Sequence, residues 1–293
     1  VTAGGAPRVG CVIVDFNAGA HLAAAVDSVR AAGVRDVVVV DNAGGGASRR
    51  ALGRRADEVA LVEPGRNLGF GAGANRGVAS LPDVDHVLVC NPDVVLHEGA
   101  GDALVAALVA HPSWGLVGPT ILTEGGAPYP SVRRFPAPLD AVGHATLGRV
   151  WPRNPFTRHY REQGAASDGT ADWVSGSCFL VRRELFEQLG GFDERYFMFA
   201  EDMDLCWRAH HAGADVGTAP DAVVTHAEGV SRRRAPYRMQ VAHHRSALRF
   251  AATTAHGPTR LLLPLAAAVL AARLLAVLVL TARGATAGGD PVA

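Results

Sequence analysis

The chain has 293 residues, 48% hydrophobic and 19% charged, enough apolar side chain for a sizeable core and too much for a disordered polymer. Its formal net charge is zero, and no nucleic-acid partner is expected. The charge is unevenly spread: nine arginines and one acid, Asp290, follow residue 231, leaving 19 basic against 27 acidic side chains in residues 1–231. A basic tail on an acidic body points to an anionic partner for the tail.

All 28 basic residues are arginine, a coding bias rather than the demand of one site. Cys11, Cys90, Cys178 and Cys206 are scattered, with no C-x-x-C pair. They argue against a disulfide framework or a zinc site and for a reducing compartment. Residues 1–5 lack the charged and apolar regions of a secretory signal, so none is expected there.

In chain order, residues 9–16 (VGCVIVDF) form an apolar run read as a strand, followed by a helix over 22–32 closed by Gly33. Residues 36–42 (DVVVVDN) repeat the strand pattern, 59–62 form a shorter strand, 71–80 a helix and 86–93 (HVLVCNPD) a further strand. A helix over 102–110 and an extended stretch over 115–122 complete this half. Continuous β-branched runs between helices imply a parallel sheet covered on both faces. Ligands of such sheets bind beyond the carboxyl ends of the strands, and here Asp15, Asp41 and Asp93 arrive at that edge.

Residues 124–172, rich in Pro, Arg and Gly, read as a long loop or flap. A strand over 178–183, a short helix over 184–189, a helix over 201–212 and a strand over 222–226 follow. Residues 261–280 are apolar apart from Arg273, about the length of a membrane span. A central arginine costs roughly 2.5–3.5 kcal/mol on insertion scales. Three readings stay open: a spanning helix, a helix lying in the interface, and an apolar helix packed on the domain or a partner.

Four features carry chemistry. Residues 66–77 (RNLGFGAGANRG) are a glycine-rich loop opening a helix, suited to close approach of backbone amides to a phosphate. The spacing is G-x-G-x-x-x-G and the loop follows the third strand, unlike a dinucleotide fingerprint; the alternative is glycine for close helix–sheet packing. Asn91-Pro92-Asp93 ends a buried strand, where a carboxylate can hold Mg²⁺ or Mn²⁺, or cap the next turn. Glu201 and Asp202 open a helix on which Asp204 and Arg208, spaced i, i+4, pair at the surface; the acidic pair offers a base, or only caps and bridges. His226 ends a strand and offers a second metal ligand, and Arg232-Arg233-Arg234 can neutralise a diphosphate or form a solvated basic run.

These pieces resemble glycosyltransferase family 2, of the GT-A fold, from residue 9 to about 256. The resemblance rests on VIVDFN, VVVVDN, RNLGFGAGANRG, VCNPDV, WVSGSCFLVRR, GGFDERYFMFAEDMDLCWR and H-x-x-G-x-S. The nearest subgroup is the cell-wall and O-antigen rhamnosyltransferases that act on polyprenyl-diphosphate-linked GlcNAc. The resemblance implies an α/β fold with a Rossmann-like, mostly parallel sheet and helices on both faces. It also implies a nucleotide-sugar donor, dTDP-β-L-rhamnose, with UDP-Gal or UDP-Glc as alternatives. Phe16, Asn17, Asp41, Arg66, Asn67, Gly69, Phe70, Asn75 and Asn91 would line the donor pocket, with Phe16 and Asp41 at base and ribose. Asp93 and His226 would bind the metal, Trp173, Ser175 and Gly176 would border the acceptor, and Asp202, or Glu201, would be the base.

Two departures from the pattern stand out. Asn91 replaces the first acid of the metal motif, and Asp15 stands where related enzymes have Asn or Thr. The expected division is a catalytic domain over 1–255, split near residue 122 into donor and acceptor halves, and a membrane-associating tail over 256–293. The expected location is the cytoplasmic face of the plasma membrane, with an anionic membrane surface as partner and the oligomeric state left open. A Rossmann-type dehydrogenase and a non-catalytic sugar- or lipid-binding module are the competing functions.

Overall fold

The structure is a computed structural model and describes residues 6–148, 150–160, 164–227 and 236–286. The chain forms two compact units. The first comprises Val1–Arg133, Gln163–Phe197 and Glu201–Ser231, and the second Arg134–Glu162, Met198–Ala200 and Arg232–Ala293.

In the first unit β1 (Val9–Asp15), α1 (Ala20–Ala31), β2 (Asp36–Asp41), α2 (Ala47–Leu52), β3 (Ala60–Val62), α3 (Phe70–Val78) and β4 (His86–Cys90) alternate as the sequence pattern predicts. Next come β5 (Val94–Leu96), α4 (Ala100–Ala110), β6 (Trp114–Thr123) and β7 (Val132–Arg133). In the second unit lie α5 (Pro138–Leu147) and α6 (Pro155–Tyr160). The first unit resumes with β8 (Thr170–Ala171), β9 (Trp173–Val174), β10 (Cys178–Arg182), α7 (Arg183–Gln188), α8 (Glu201–His211) and β11 (Asp215–His226). Finally α9 (Pro236–Thr254) and α10 (Leu263–Thr286) belong to the second unit.

A nine-stranded sheet runs β3-β2-β1-β4-β10-β6-β11-β5, with β8 paired to β11. Six of the nine strands share one direction; β10, β5 and β8 oppose it. Alternation along β1 explains why both faces are covered. Cys11 and Ile13 join Leu22, Val26 and Val29 of α1 and Leu104 and Leu108 of α4 in one core. Val12 and Val14 face α3 instead, which approaches the sheet through glycine. The four cysteines are free and buried, small hydrophobes; burial pushes the thiol up at Cys11 and to about 12 at Cys206, and a hydrogen bond with Cys178, then burial, does so at Cys90.

Several elements depart from the sequence reading. The stretch 124–172 is not one long loop: it holds β7, α5, α6 and β8. β11 begins at Asp215, well before residue 222, because it pairs with β6 from Asp215 to His226, with β8 on the other side of Val216 and Gly217 and β5 beside its last three residues. β5 is a separate strand at the far edge of the sheet. α9, amphipathic and rich in arginine and histidine, has no counterpart in the predicted elements. In the second unit α10 packs on α9 and α5, Phe135 and Phe250 stack at 6.2 Å, and Ser246 Oγ donates to Met198 O at 2.8 Å.

Candidate active site

The three carboxylate-bearing strand ends are neighbours, since β2, β1 and β4 lie side by side and parallel. Two of the carboxylates hold their own loops. Asp15 Oδ1 accepts from Ala18 N at 2.9 Å and Oδ2 from Ser48 Oγ at 2.7 Å. Asp41, fully buried, accepts from Gly44 N at 2.9 Å and Ser48 N at 3.3 Å. Asp41 therefore shapes the 44–48 turn. Phe16 and Asn17 are half-buried in the loop after β1, Asn17 with a left-handed φ of 58°.

The glycines of 69–77 are explained by packing. A Cβ at Gly77 would overlap Val12, one at Gly73 would lie 2.9 Å from Val14 Cγ1, and one at Gly71 would lie 2.9 Å from Phe192 Cβ. Gly69 has φ 89° and presses against the carbonyl of Phe197. Three of the loop amides are occupied: Leu68 N donates to Asn42 Oδ1 at 3.4 Å, Gly69 N to Asn67 Oδ1 at 2.9 Å and Phe70 N to Phe197 O at 3.0 Å. Of the two readings of the motif, close helix–sheet packing is the one these contacts display. Asn75 is likewise engaged. Its amide donates to Phe192 O at 2.9 Å and accepts from Phe192 N at 2.8 Å, tying α3 to the 191–194 turn. Arg66 and Asn67 are exposed, while Phe70 is buried edge-to-face on Phe192.

Asp93 and His226 come together through register. After β4 the chain crosses to the far edge, where β5 pairs with β11 so that Val94 faces His226. Ala227 N donates to Asp93 O at 3.0 Å, and His226 Nε2 stands 3.1 Å from Asp93 Oδ1, both side chains buried. Asn91 Nδ2 lies 3.5 Å from the same His226 nitrogen. A half-turn of that amide would present its oxygen instead. Asp93 and His226 thus offer an oxygen and a nitrogen side by side, a donor pair that would suit a hard divalent ion. His226 Nδ1 has no hydrogen-bond partner among the described residues, and the Tyr129 ring packs edge-on at 5.8 Å. No group of three or more His, Cys, Asp or Glu ligands occurs among the described residues. Asp93 and His226 would therefore supply only part of a metal's coordination.

The acidic pair lies one step away. Asn91 N donates to Ser177 O at 2.8 Å, fixing the 175–177 loop beside the Asn-Pro-Asp turn. From that loop Gly176 N donates to Asp202 Oδ2 at 2.7 Å, while Met203 N donates to Asp202 Oδ1 at 2.8 Å. A Cβ at Gly176 would sit 3.0 Å from Asp202 Cβ, so a larger residue there would crowd the carboxylate. Burial raises the Asp202 carboxyl above its ordinary value, and the amides of Gly176 and Met203 together with Arg133 pull it back. Glu201 differs. It is buried, its Oε2 has no partner among the described residues, and burial with the Asp202 charge pushes its pKa up to about 8. Successive helical residues point about 100° apart, which separates these two environments. Asp204 pairs with Arg208 at 2.7 Å as the spacing predicts, but Asp204 is 1% exposed, so this is a buried strut and not a surface bridge.

Of the acceptor-side residues, Ser175 Oγ lies 2.9 Å from Ser177 Oγ, and Trp173 sits under the Arg133 guanidinium at 5.6 Å. Arg133 was not among the sequence candidates. Pairing of β7 with β9 sets it opposite Trp173, and nothing local in the Pro- and Arg-rich stretch marks one arginine from its neighbours. Asn42 was passed over too, although it ends a predicted strand beside Asp41. The residues 228–231 and Arg232-Arg233-Arg234 lie outside the described residues.

Fold and site together define a glycosyltransferase of the GT-A class. Residues 7–242 match the family described as glycosyltransferase like family 2. Over 254 residues the chain is 40% identical to the N-acetylglucosaminyl-diphospho-decaprenol L-rhamnosyltransferase of Mycobacterium tuberculosis, covering 82% of this chain and 83% of that protein. It is 32% identical to the rhamnosyltransferase WbbL of Escherichia coli, over 52% of this chain and 58% of that one. The mannosyltransferase PcManGT of Pyrobaculum calidifontis, solved with GDP-Man and Mn²⁺, shares the fold at TM-score 0.56 and 19% identity, over 96% of this chain and 80% of that one. The chain belongs to glycosyltransferase family 2.

Proposed function

We propose that this enzyme transfers L-rhamnose, with inversion, from dTDP-β-L-rhamnose to a polyprenyl-diphosphate-linked GlcNAc at the cytoplasmic leaflet. The sugar and acceptor are supported by the 40% identity to a transferase of that name and by the likeness to a second rhamnosyltransferase. The observation that carries the chemistry is the 2.7 Å hydrogen bond from Gly176 N to Asp202 Oδ2. It holds a carboxylate on the loop next to the Asn91–Asp93 turn, with a lone pair left on each oxygen.

Asp202 is the base of this reading. It takes the proton of the acceptor hydroxyl as the oxygen attacks the anomeric carbon and the bond to the nucleoside diphosphate breaks on the opposite face. Glu201, protonated over most of the neutral range, is not an available base. Asp93 and His226, with Asn91 through its amide oxygen, would hold Mg²⁺ or Mn²⁺. The ion would neutralise charge on the departing diphosphate. Phe16 and Asn17 flank the donor, Asn67, Gly69, Phe70 and Asn75 shape its pocket from behind, and Trp173, Ser175 and Gly176 border the acceptor.

The test is a transfer assay over a panel of nucleotide-sugars with a short-chain GlcNAc-diphospho-polyprenol, with and without Mg²⁺ or Mn²⁺. Asp202→Asn should lower turnover by about 10³-fold or more with donor binding kept. Asp93→Ala should abolish metal-dependent donor binding as well. Full activity in Asp202→Asn, or transfer of another sugar in preference, overturns the reading.

A further inference from the structure

The second unit leaves large apolar side chains outside. Leu265, Leu275 and Val279 of α10 are 53%, 65% and 41% exposed, and Val150 and Trp151, between α5 and α6, are 80% and 56% exposed. At about 100° per residue, positions 265, 268, 272, 275 and 279, all exposed, fall within one stripe roughly 80° wide. Arg273 lies about 120° from the centre of that stripe. It faces α9, where its guanidinium acts on buried His244 and, after burial itself, helps hold that imidazole below its ordinary value.

The exposed charges of this unit are almost all of one sign. Arg153, Arg158, Arg238, Arg245 and Arg260 are exposed, and Asp140, 3.6 Å from His159, is the single acid among the described residues of this unit. The apolar segment Gly257–Val279 is long enough to cross a bilayer, with a mean hydropathy of 2.4. A spanning helix would carry its whole circumference into hydrocarbon. Here one side is occupied by α9, whose arginines and histidines are costly there.

We propose that the α10 stripe and the Val150–Trp151 connection form an interfacial platform for an anionic lipid bilayer, with α10 lying in the headgroup plane and not crossing it. The stripe enters the acyl boundary, the exposed arginines meet lipid phosphates, and Arg273 is kept out of hydrocarbon by α9. In supplying a surface for a lipid-linked acceptor the platform rests on the function proposed above; the binding itself does not.

The experiment uses the full chain with phosphatidylglycerol–phosphatidylcholine vesicles against phosphatidylcholine alone. The expected result is sedimentation with the anionic vesicles, weakened by salt. Trp151 fluorescence, isolated by difference from Trp151→Phe, should be quenched by lipids brominated near the headgroups. The double variant Leu265→Gln/Leu275→Gln should bind at least about tenfold more weakly. Its melting temperature and its transfer to a water-soluble acceptor should be unchanged. Three results overturn the platform: no binding by the wild type, binding untouched in the double variant, or a C-terminus shielded from protease inside sealed vesicles, which signals a span. Self-association through the stripe without vesicle binding overturns it too, naming a second copy as occupant. A wild type that binds vesicles but transfers no sugar to the soluble acceptor sinks the proposed function and leaves the platform standing.

Discussion

The two units carry equal and opposite charge. The first has 14 arginines against 25 acidic residues, a net of −11, and the second 14 arginines against three acids, a net of +11. They also differ in what they bury. In the first, Asp15, Asp41, Asp93, Glu201 and Asp204 are buried beside a continuous apolar core, and four of the five have a named partner. In the second, arginines and large apolar side chains both face outward. The neutral total of the chain hides this. The contrast teaches that the acidic unit spends its charge on geometry, while the basic unit keeps its charge and apolar surface for something outside itself.

If that division holds, changes around Asp202 in the first unit must damage transfer to any acceptor, soluble or lipid-borne. The largest effect expected after loss of Asp202 itself is in Gly176→Ala. The new methyl would sit 3.0 Å from Asp202 Cβ, so that carboxylate must yield slightly, and turnover should fall by about 30-fold while donor binding stays within about twofold. Steady-state kinetics with a soluble acceptor decide it, and an equal loss in donor affinity would show that the loop serves both substrates.

Arg133→Ala is expected to be milder, about tenfold in turnover. Because Arg133 favours the ionised form of Asp202, its loss raises that carboxyl further, so the acid limb of the pH–rate profile should move to higher pH. Arg133→Lys should restore the limb and not the stacking on Trp173. An unmoved limb in Arg133→Ala would make this arginine a packing residue.

The smallest effect on activity, within about threefold, is expected for Glu201→Gln, and its signature is stability. The folded-state pKa of Glu201, about 8, lies above the unfolded value near 4.5, so the unfolded chain loses its proton first as pH rises. Stability from this group is therefore fully present below pH 4.5 and drains away up to about pH 8. Glutamine cannot ionise, so the variant should show a flatter fall in melting temperature between those limits. A fall as steep as in the wild type would place an ionised, partnered carboxylate at this position.

Sequence periodicity by itself determined the parallel half of the sheet, the carboxylates at its edge and the acidic start of α8, because β-branched runs and helical spacing are local signals. Tertiary structure decided the rest. β5 is three residues lying just beyond the strand read over 86–93 and in no predicted element, and only its pairing with β11 brings His226 to Asp93. The glycines of 69–77 read either as a phosphate loop or as close packing, and only the side chains of Val12, Val14 and Phe192 beside them show the packing. Glu201 and Asp202, read in the sequence as one acidic pair, are adjacent and chemically alike. The fold turns one into the core and hands the other to Gly176, and burial and hydrogen bonding give them different proton affinities.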